Sequence, residues 1–266
     1  MSVLTLVTLA QPIGNQSTNG GWYGPLMRLL VSSIVGSLAA MTIANIVTTV
    51  YLHRALAHRA LTLRGPARFA FRLLVWVSTG IKPREWVAVH RKHHAYTDVE
   101  GDPHSPVLLG WGRVQLTNVA LYRKAARDAD TLRYARDLPS DRWDRWLFDR
   151  SLLGLGIGVA VLMVVLGPLT GAIVAVGHTV LYISGSAAVN GIGHHFGRRP
   201  YANRAGNLQW LAFFTAGEGL HNNHHAAPTS AKLSHRWYEI DPGWWCIRAL
   251  ALVRLAKVRF TSPRVA

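Results

Sequence analysis

The sequence predicts an all-α integral membrane protein of three to four transmembrane helices, with a cytoplasmic helical cap that carries a histidine-rich metal site. Three observations lead there. Long apolar runs contain no charged side chain. All 29 Lys and Arg residues lie outside those runs, from Arg28 onward. The 13 histidines are strongly clustered, in a chain with one cysteine.

The helices follow in order. From Leu29 to His53 there is no Asp, Glu, Lys or Arg, and the same holds from Ser151 to Gly197. About 20 apolar residues cross a bilayer core, so spans are expected at about 29–52, 152–166 and 171–189. The "GPLT" between the last two is polar and Pro-bearing, which suits a tight turn on the lumenal side. A buried core helix in a soluble protein explains one such run; three would need far more polar chain to cover them. "MSVLTLVTLA" at the start has no basic residues and is too short to span alone. Two shorter stretches, Phe69–Ile81 and Leu208–Ala216, suit interfacial or re-entrant helices, and each precedes a histidine cluster. Residues 123–150 are charged with helical spacing and are expected to form part of the cap. The chain reads as one domain over 1–266, with its core at 28–258.

Charge sets the orientation. Neither Met1–Met27 nor "GPLT" carries Lys or Arg, so the positive-inside rule puts 59–150 and 198–266 in the cytoplasm. The net charge of +16 then reflects a surface beside anionic lipid, and no nucleic-acid motif accompanies it. The lone Cys246 excludes an internal disulfide and a cysteine metal site. The 24 Arg against 5 Lys point to a GC-rich bacterial source, hence to a bacterial inner membrane.

The histidines carry the chemistry. "HRALAH" spans His53 to His58, "HRKHH" runs from His90 to His94, and "HNNHH" from His221 to His225. Two spans separate the second cluster from the third, so all three face one side of the membrane. Positions i, i+3 and i+4 share a helix face, so His90, His93 and His94 are expected to converge on one point, as are His221, His224 and His225. His194 follows the last span, with Asn190 one turn before it. Nine imidazoles exceed what one metal takes, and a dinuclear site with open positions accommodates them. One Glu-x-x-His, Glu218 to His221, falls short of the pair that carboxylate-type di-iron bundles use. Glu85, Asp98, Asp102 and Glu218 are the nearest acids able to orient the imidazoles. His104, His178, His195 and His235 read as packing or interfacial residues, and Trp244–Trp245 as an interface anchor.

With "EGDPHSP", "NGIGHHFGRRPY" and "GEGLHNNHHAAP", the three boxes resemble the membrane fatty acid desaturases of the stearoyl-CoA (delta-9) type, over about residues 50–255. The resemblance implies a non-haem di-iron site held by His53, His58, His90, His93, His94, His194, His221, His224 and His225, with Asn190 reaching one iron through water. It implies O2 as co-substrate and places Arg123 and Lys124 where such proteins hold the acyl carrier's headgroup. It implies four spans as two hairpins, the first within Met1–Tyr23. The substrate would be a saturated long-chain acyl group on CoA or on lipid, and the enzyme an oxidoreductase acting on paired donors with reduction of O2 to water. Apolar helices must then enclose the acyl tail in a narrow tunnel, with Trp86 as a candidate wall residue. No dinucleotide fingerprint or cluster of cysteines is present, so the electrons are expected from a separate partner: a ferredoxin, or a cytochrome b5-like protein with its reductase. Such a partner, if acidic, could dock on the Arg-rich face around 123–136. A hydroxylase or ketolase of the same plan shares the first hydrogen abstraction. A metal transporter would place ionisable ligands within its spans, and the spans here hold only His178.

Overall fold

The computed structural model describes residues 23–261 and is predominantly helical. The expected first span in Met1–Tyr23 falls outside the described residues apart from the backbone of Tyr23. Helix α1 (Tyr23–Val47) continues without a break into a π-helical stretch, Thr48–Ala57. Together Gly24–Ala57 form a 34-residue apolar rod. At about 1.5 Å per residue it exceeds the roughly 30 Å hydrocarbon core, which leaves its histidine-bearing end room to project beyond it.

Strand β1 (Leu61–Leu63) follows, then α2 (Gly65–Thr79), with Pro66 in the first turn. Gly80 closes α2 at φ 63°, a left-handed conformation that favours glycine. Helix α3 (Pro83–Ala95) carries the second histidine box. Helices α4 (Pro106–Leu109), α5 (Trp111–Ala126) and α6 (Ala129–Leu132) come next. The charged stretch 123–150 is not one helix. Asp128 caps α6 by accepting from the Asp130 and Thr131 backbone amides, and only short turns follow, at Arg133–Ala135 and Asp144–Phe148. Helical charge spacing was a weaker signal here than the capping Asp128 and the break around Pro139.

Helices α7 (Ser151–Leu166) and α8 (Pro168–Asn190) form a hairpin whose connection is Gly167 alone, at φ 86°. The expected four-residue turn is shorter because Pro168 opens α8, where its missing N–H costs nothing. Helix α8 passes through Gly191 into α9 (Ile192–His195). By length and composition Gly24–Ala57 and Pro168–His195 suit membrane crossing, and the 16 residues of α7 make a shorter apolar helix. Helix α7 packs its Gly154-x-x-x-Gly158 edge on α2. A Cβ at Gly154 would meet the Trp76 ring and carbonyl at 2.6 Å, and one at Gly158 would meet the Val77 carbonyl. Small residues at that spacing let apolar helices approach closely without water's help.

Short helices α10 (Gln209–Phe214) and α11 (His221–Ala226), then α12 (Pro242–Leu252), follow. Strand β2 (Ala256–Val258) pairs antiparallel with β1, Leu61 opposite Val258 and Leu63 opposite Ala256. This two-stranded ribbon, unexpected from the sequence, ties the C-terminal segment to the first histidine box.

The same histidine box holds a buried ion pair. Arg54, 1% exposed, donates to Asp241 through both terminal nitrogens, at 2.8 and 3.3 Å. Its remaining donors reach the Thr49 hydroxyl and the carbonyls of Ala216 and Ala231. Asp241 also accepts from the Leu233 and Trp244 backbone amides, so it caps α12. Every donor of the guanidinium is used, as a buried charge requires.

Candidate metal centre and adjoining cavity

The first histidine box depends on the π-helical winding. In an α-helix, residues five apart sit about 140° from each other. Here the His58 amide donates to the His53 carbonyl at 3.0 Å, an i to i+5 bond. The wider turn brings both imidazoles to one face, ring centroids 4.8 Å apart. π-Bulges of this kind concentrate at functional sites.

The other two boxes each divide. On α3, His90 and His94 join His53, His58 and His224 in one group of five. His93 turns away to join His194, His221 and His225 in a group of four. On α11 the division is reversed: the i, i+4 pair His221 and His225 goes to the group of four, and the i+3 residue His224 to the group of five. Helix geometry accounts for it. Residues i and i+4 differ by about 40°, whereas i+3 lies about 60° to the other side. Each box therefore straddles two neighbouring centres instead of meeting at the one point expected from spacing. The groups touch, since the His94 and His225 rings stack with centroids 4.5 Å apart.

Three carboxylates hold ring orientations. Glu218 accepts from His53 Nδ1 at 2.8 Å and from the Thr49 hydroxyl. Asp102 accepts from His93 Nδ1 at 3.0 Å, and Asp98 from His194 Nδ1 at 2.9 Å. Each bond spends the Nδ1 proton and leaves Nε2 with its lone pair free. Burial pushes the Asp102 carboxyl up, but the hydrogen bond from His93 outweighs it and brings it down to about 2. Burial likewise opposes ionisation of Glu218, and contact with His53 and Arg54 more than offsets it. Glu85 plays no such part: it is half-exposed and pairs with Lys82 at 3.3 Å. Asp102→Asn is expected to weaken metal retention by about 10–100-fold, read as iron remaining bound during a chelator titration.

The donor set fits metal. Burial first, and neighbouring imidazoles second, push His58, His90, His94, His221, His224 and His225 well below the ordinary histidine range. They are therefore neutral at pH 7, the form that ligates. Facing Nε2 atoms lie 2.8 Å apart in His58 and His90, 2.9 Å in His94 and His224, and 3.1 Å in His53 and His224. His93 Nε2 and His194 Nε2 are buried with no hydrogen-bond partner. Buried polar atoms left bare are costly, and a cation between converging lone pairs satisfies them. Neutral burial also sets a pH dependence. Unfolded histidines protonate near 6.5, the folded ones only at lower pH, so below about 6.5 the unfolded chain binds more protons and stability falls. The thermal midpoint of the metal-free protein is expected to drop between pH 7.5 and 5.5; a constant midpoint would mean that the imidazoles are open to water.

A cavity of ≈450 Å³ adjoins the histidines, reaching His53, His90 and His221. That volume lies within the usual range for small-ligand sites. Trp86 lines it and stacks on His90, centroids 4.9 Å apart and 11° between planes. Asn190 lines it as well, its amide donating to Asn118 Oδ1 at 3.3 Å. Arg123 is at its rim, whereas Lys124 is exposed and does not line it. Trp245 is exposed, but Trp244 packs partly buried against the core, so only one of that pair faces outward.

Several site-building residues were not anticipated. His104, read as a packing residue, stacks on His93 at 4.6 Å and 19°, and lines the cavity. Its place two residues after Asp102 was the available signal. Asn222 and Asn223, the middle of "HNNHH", are buried and bridge to Tyr201, Asn203, Ala205, Asn207, Leu233 and Glu239. They hold in place a helix of only six residues.

The comparisons agree with the geometry. The family model described as fatty acid desaturase matches residues 29–260. The chain is 36% identical over 216 residues to the sn-2 palmitoyl-lipid 9-desaturase of Nostoc sp. (strain 36), covering 79% of this chain and 75% of that one. It is 28% identical over 243 residues to the sn-1 stearoyl-lipid 9-desaturase of Anabaena variabilis, with 90% and 85% covered. It is also similar to the acyl-CoA C20 Delta5-desaturase of Anemone leveillei, 32% identical over 212 residues, with 79% and 67% covered. The chain belongs to the fatty acid desaturase family. It is an oxygen-dependent membrane oxidoreductase of that family, similar to its delta-9 type, and its histidine groups are compatible with iron.

Proposed function

We propose that this protein inserts a cis double bond at the delta-9 position of a saturated long-chain acyl group, at two irons held by the nine histidines. The observation that carries this reading is the cavity that runs past Trp86 and His90 to both histidine groups. The five-histidine group would hold one iron and the four-histidine group the other, with Asn190 reaching one of them through water. When bound, the irons and O2 supply an oxidant strong enough for unactivated methylenes.

The chain's own residues do the rest. Trp86, fixed flat against His90, forms a wall that holds methylenes beside the metal ligands. Glu218, Asp102 and Asp98 keep the imidazoles aimed. The apolar helices exclude water. Two hydrogens leave the acyl chain, an external donor supplies two electrons, solvent supplies two protons, and O2 ends as two waters. A ferredoxin, or a cytochrome b5-like protein with its reductase, suits the donor's role. Three to four spans, with the cap and histidines on the cytoplasmic side of a bacterial inner membrane, accord with the distribution of charge.

The test is a fatty-acid profile by gas chromatography and mass spectrometry. Cells lacking a desaturase would express the protein, or its His93→Ala variant, in air. A new delta-9 monounsaturated acid with the unaltered protein only is expected. A hydroxylated product would replace this reading with a hydroxylase, and no new product from iron-loaded protein supplied with a working donor would refute it.

A further inference from the structure

The two histidine groups stand between two spaces that share no lining residue. The cavity beside Trp86 meets the group of five at His53 and His90 and the group of four at His221. A second pocket, of ≈540 Å³, meets the group of five at His58 and His94 and the group of four at His225. Each group is thus reached from both spaces. The second pocket is open to solvent. His58, His94 and His225 are part-exposed, whereas His93, His194 and His224, which line neither space, are buried. Arg204 on its lining is exposed, and Asn203 and Pro228 are part-exposed. Its inner charges are already engaged. Arg91 donates to the carbonyls of Leu56, Ala57 and Tyr134 and to Asp137, and Asp98 accepts from His194 and Ser105.

We propose that this second pocket is a port through which O2 and other small uncharged molecules reach the histidine groups, and through which water leaves, independently of the acyl chain. The proposal rests on the desaturase reading, which assigns the other cavity to that chain. Methylenes held beside Trp86 fill that cavity and close its approach to His53, His90 and His221. O2 must still come in, and water must go out, at the same two groups. The second pocket offers that passage, because Trp86 is not part of its lining. The lining also selects what passes. Acyl methylenes gain little against Arg91, Asp98, Thr97 and Asn203, since the hydrophobic gain requires apolar walls. With Arg91 and Asp98 both partnered, no buried charge is left to hold an ion. A small neutral molecule passes without displacing any of these hydrogen bonds.

Nitric oxide is the probe, being small, uncharged and a ligand of ferrous iron. The full-length, iron-loaded, reduced protein is mixed with it without oxygen, and association is followed by stopped-flow absorbance. Pro228→Trp, which places an indole in the port, should slow association by at least about tenfold, a barrier higher by roughly 1.4 kcal/mol, at unchanged iron content; Arg204→Trp serves if that variant does not fold. Ile183→Trp, which obstructs the other cavity, should leave the rate as it is, and so should saturating stearoyl-CoA together with distearoyl-phosphatidylglycerol. A rate that the port variants leave unchanged overturns the proposal, as does a rate slowed as much by Ile183→Trp or by the acyl substrates. The fatty-acid profile judges the desaturase reading separately. A delta-9 product from a protein whose nitric oxide association responds to Ile183→Trp alone refutes the port and leaves that reading standing. No delta-9 product, with association slowed by Pro228→Trp, refutes the reading and leaves the pocket as the way to the metal.

Discussion

Arg54→Met is expected to destabilise the protein by about 3–5 kcal/mol, the cost of breaking a buried ion pair from one side. Asp241, 1% exposed in its side chain, would keep its charge and lose its guanidinium. The carbonyls of Ala216 and Ala231 would lose a donor each. The consequence reaches the histidine groups by a short route. Arg54 fixes Thr49, Thr49 donates to Glu218, and Glu218 holds His53. Arg54→Lys should recover little, because one ammonium cannot replace a fork that engages four separate groups. The check is the thermal midpoint in detergent, with the yield of folded protein; an unchanged midpoint in Arg54→Met would show that the pair contributes no net stability.

The second large effect separates two neighbouring histidines. His93→Ala removes a member of the group of four and leaves three imidazoles. His94→Ala removes a member of the group of five and leaves four. Both are expected to abolish most desaturation, since each strips a proposed ligand. Their metal contents should differ. His93→Ala should fall toward one iron per chain, whereas His94→Ala should retain more of its second iron, because four imidazoles still surround that position. Iron per chain, measured on purified variants by mass spectrometry, decides it. Equal losses would mean that the two groups do not act as separate metal positions.

Much of this arrangement was legible in the sequence, for identifiable reasons. Charge-free runs locate membrane-competent helices because bilayers penalise buried charge so steeply, and α1 and α8 appear where those runs lie. The histidine boxes are dense enough to mark the site. What spacing misjudged was convergence. An i, i+3, i+4 set shares a face, but that face is wide enough to serve two centres, so His93 parts from His90 and His94. Nor did the sequence indicate π-winding at Thr48–Ala57, because a shift from i+4 to i+5 bonding arises from tertiary packing. Arg54 sat unremarked between two histidines, since its partner Asp241 lies 187 positions away. His104 looked ordinary because a stacking role is invisible until His93 has a place.

The proposed function places two adjacent irons within the two histidine groups. Anomalous diffraction at the iron edge, on crystals of the full-length protein, tests it most directly. Two iron peaks are expected, one among His53, His58, His90, His94 and His224, the other among His93, His194, His221 and His225. A single peak, or iron placed elsewhere with these imidazoles unligated, would contradict the account.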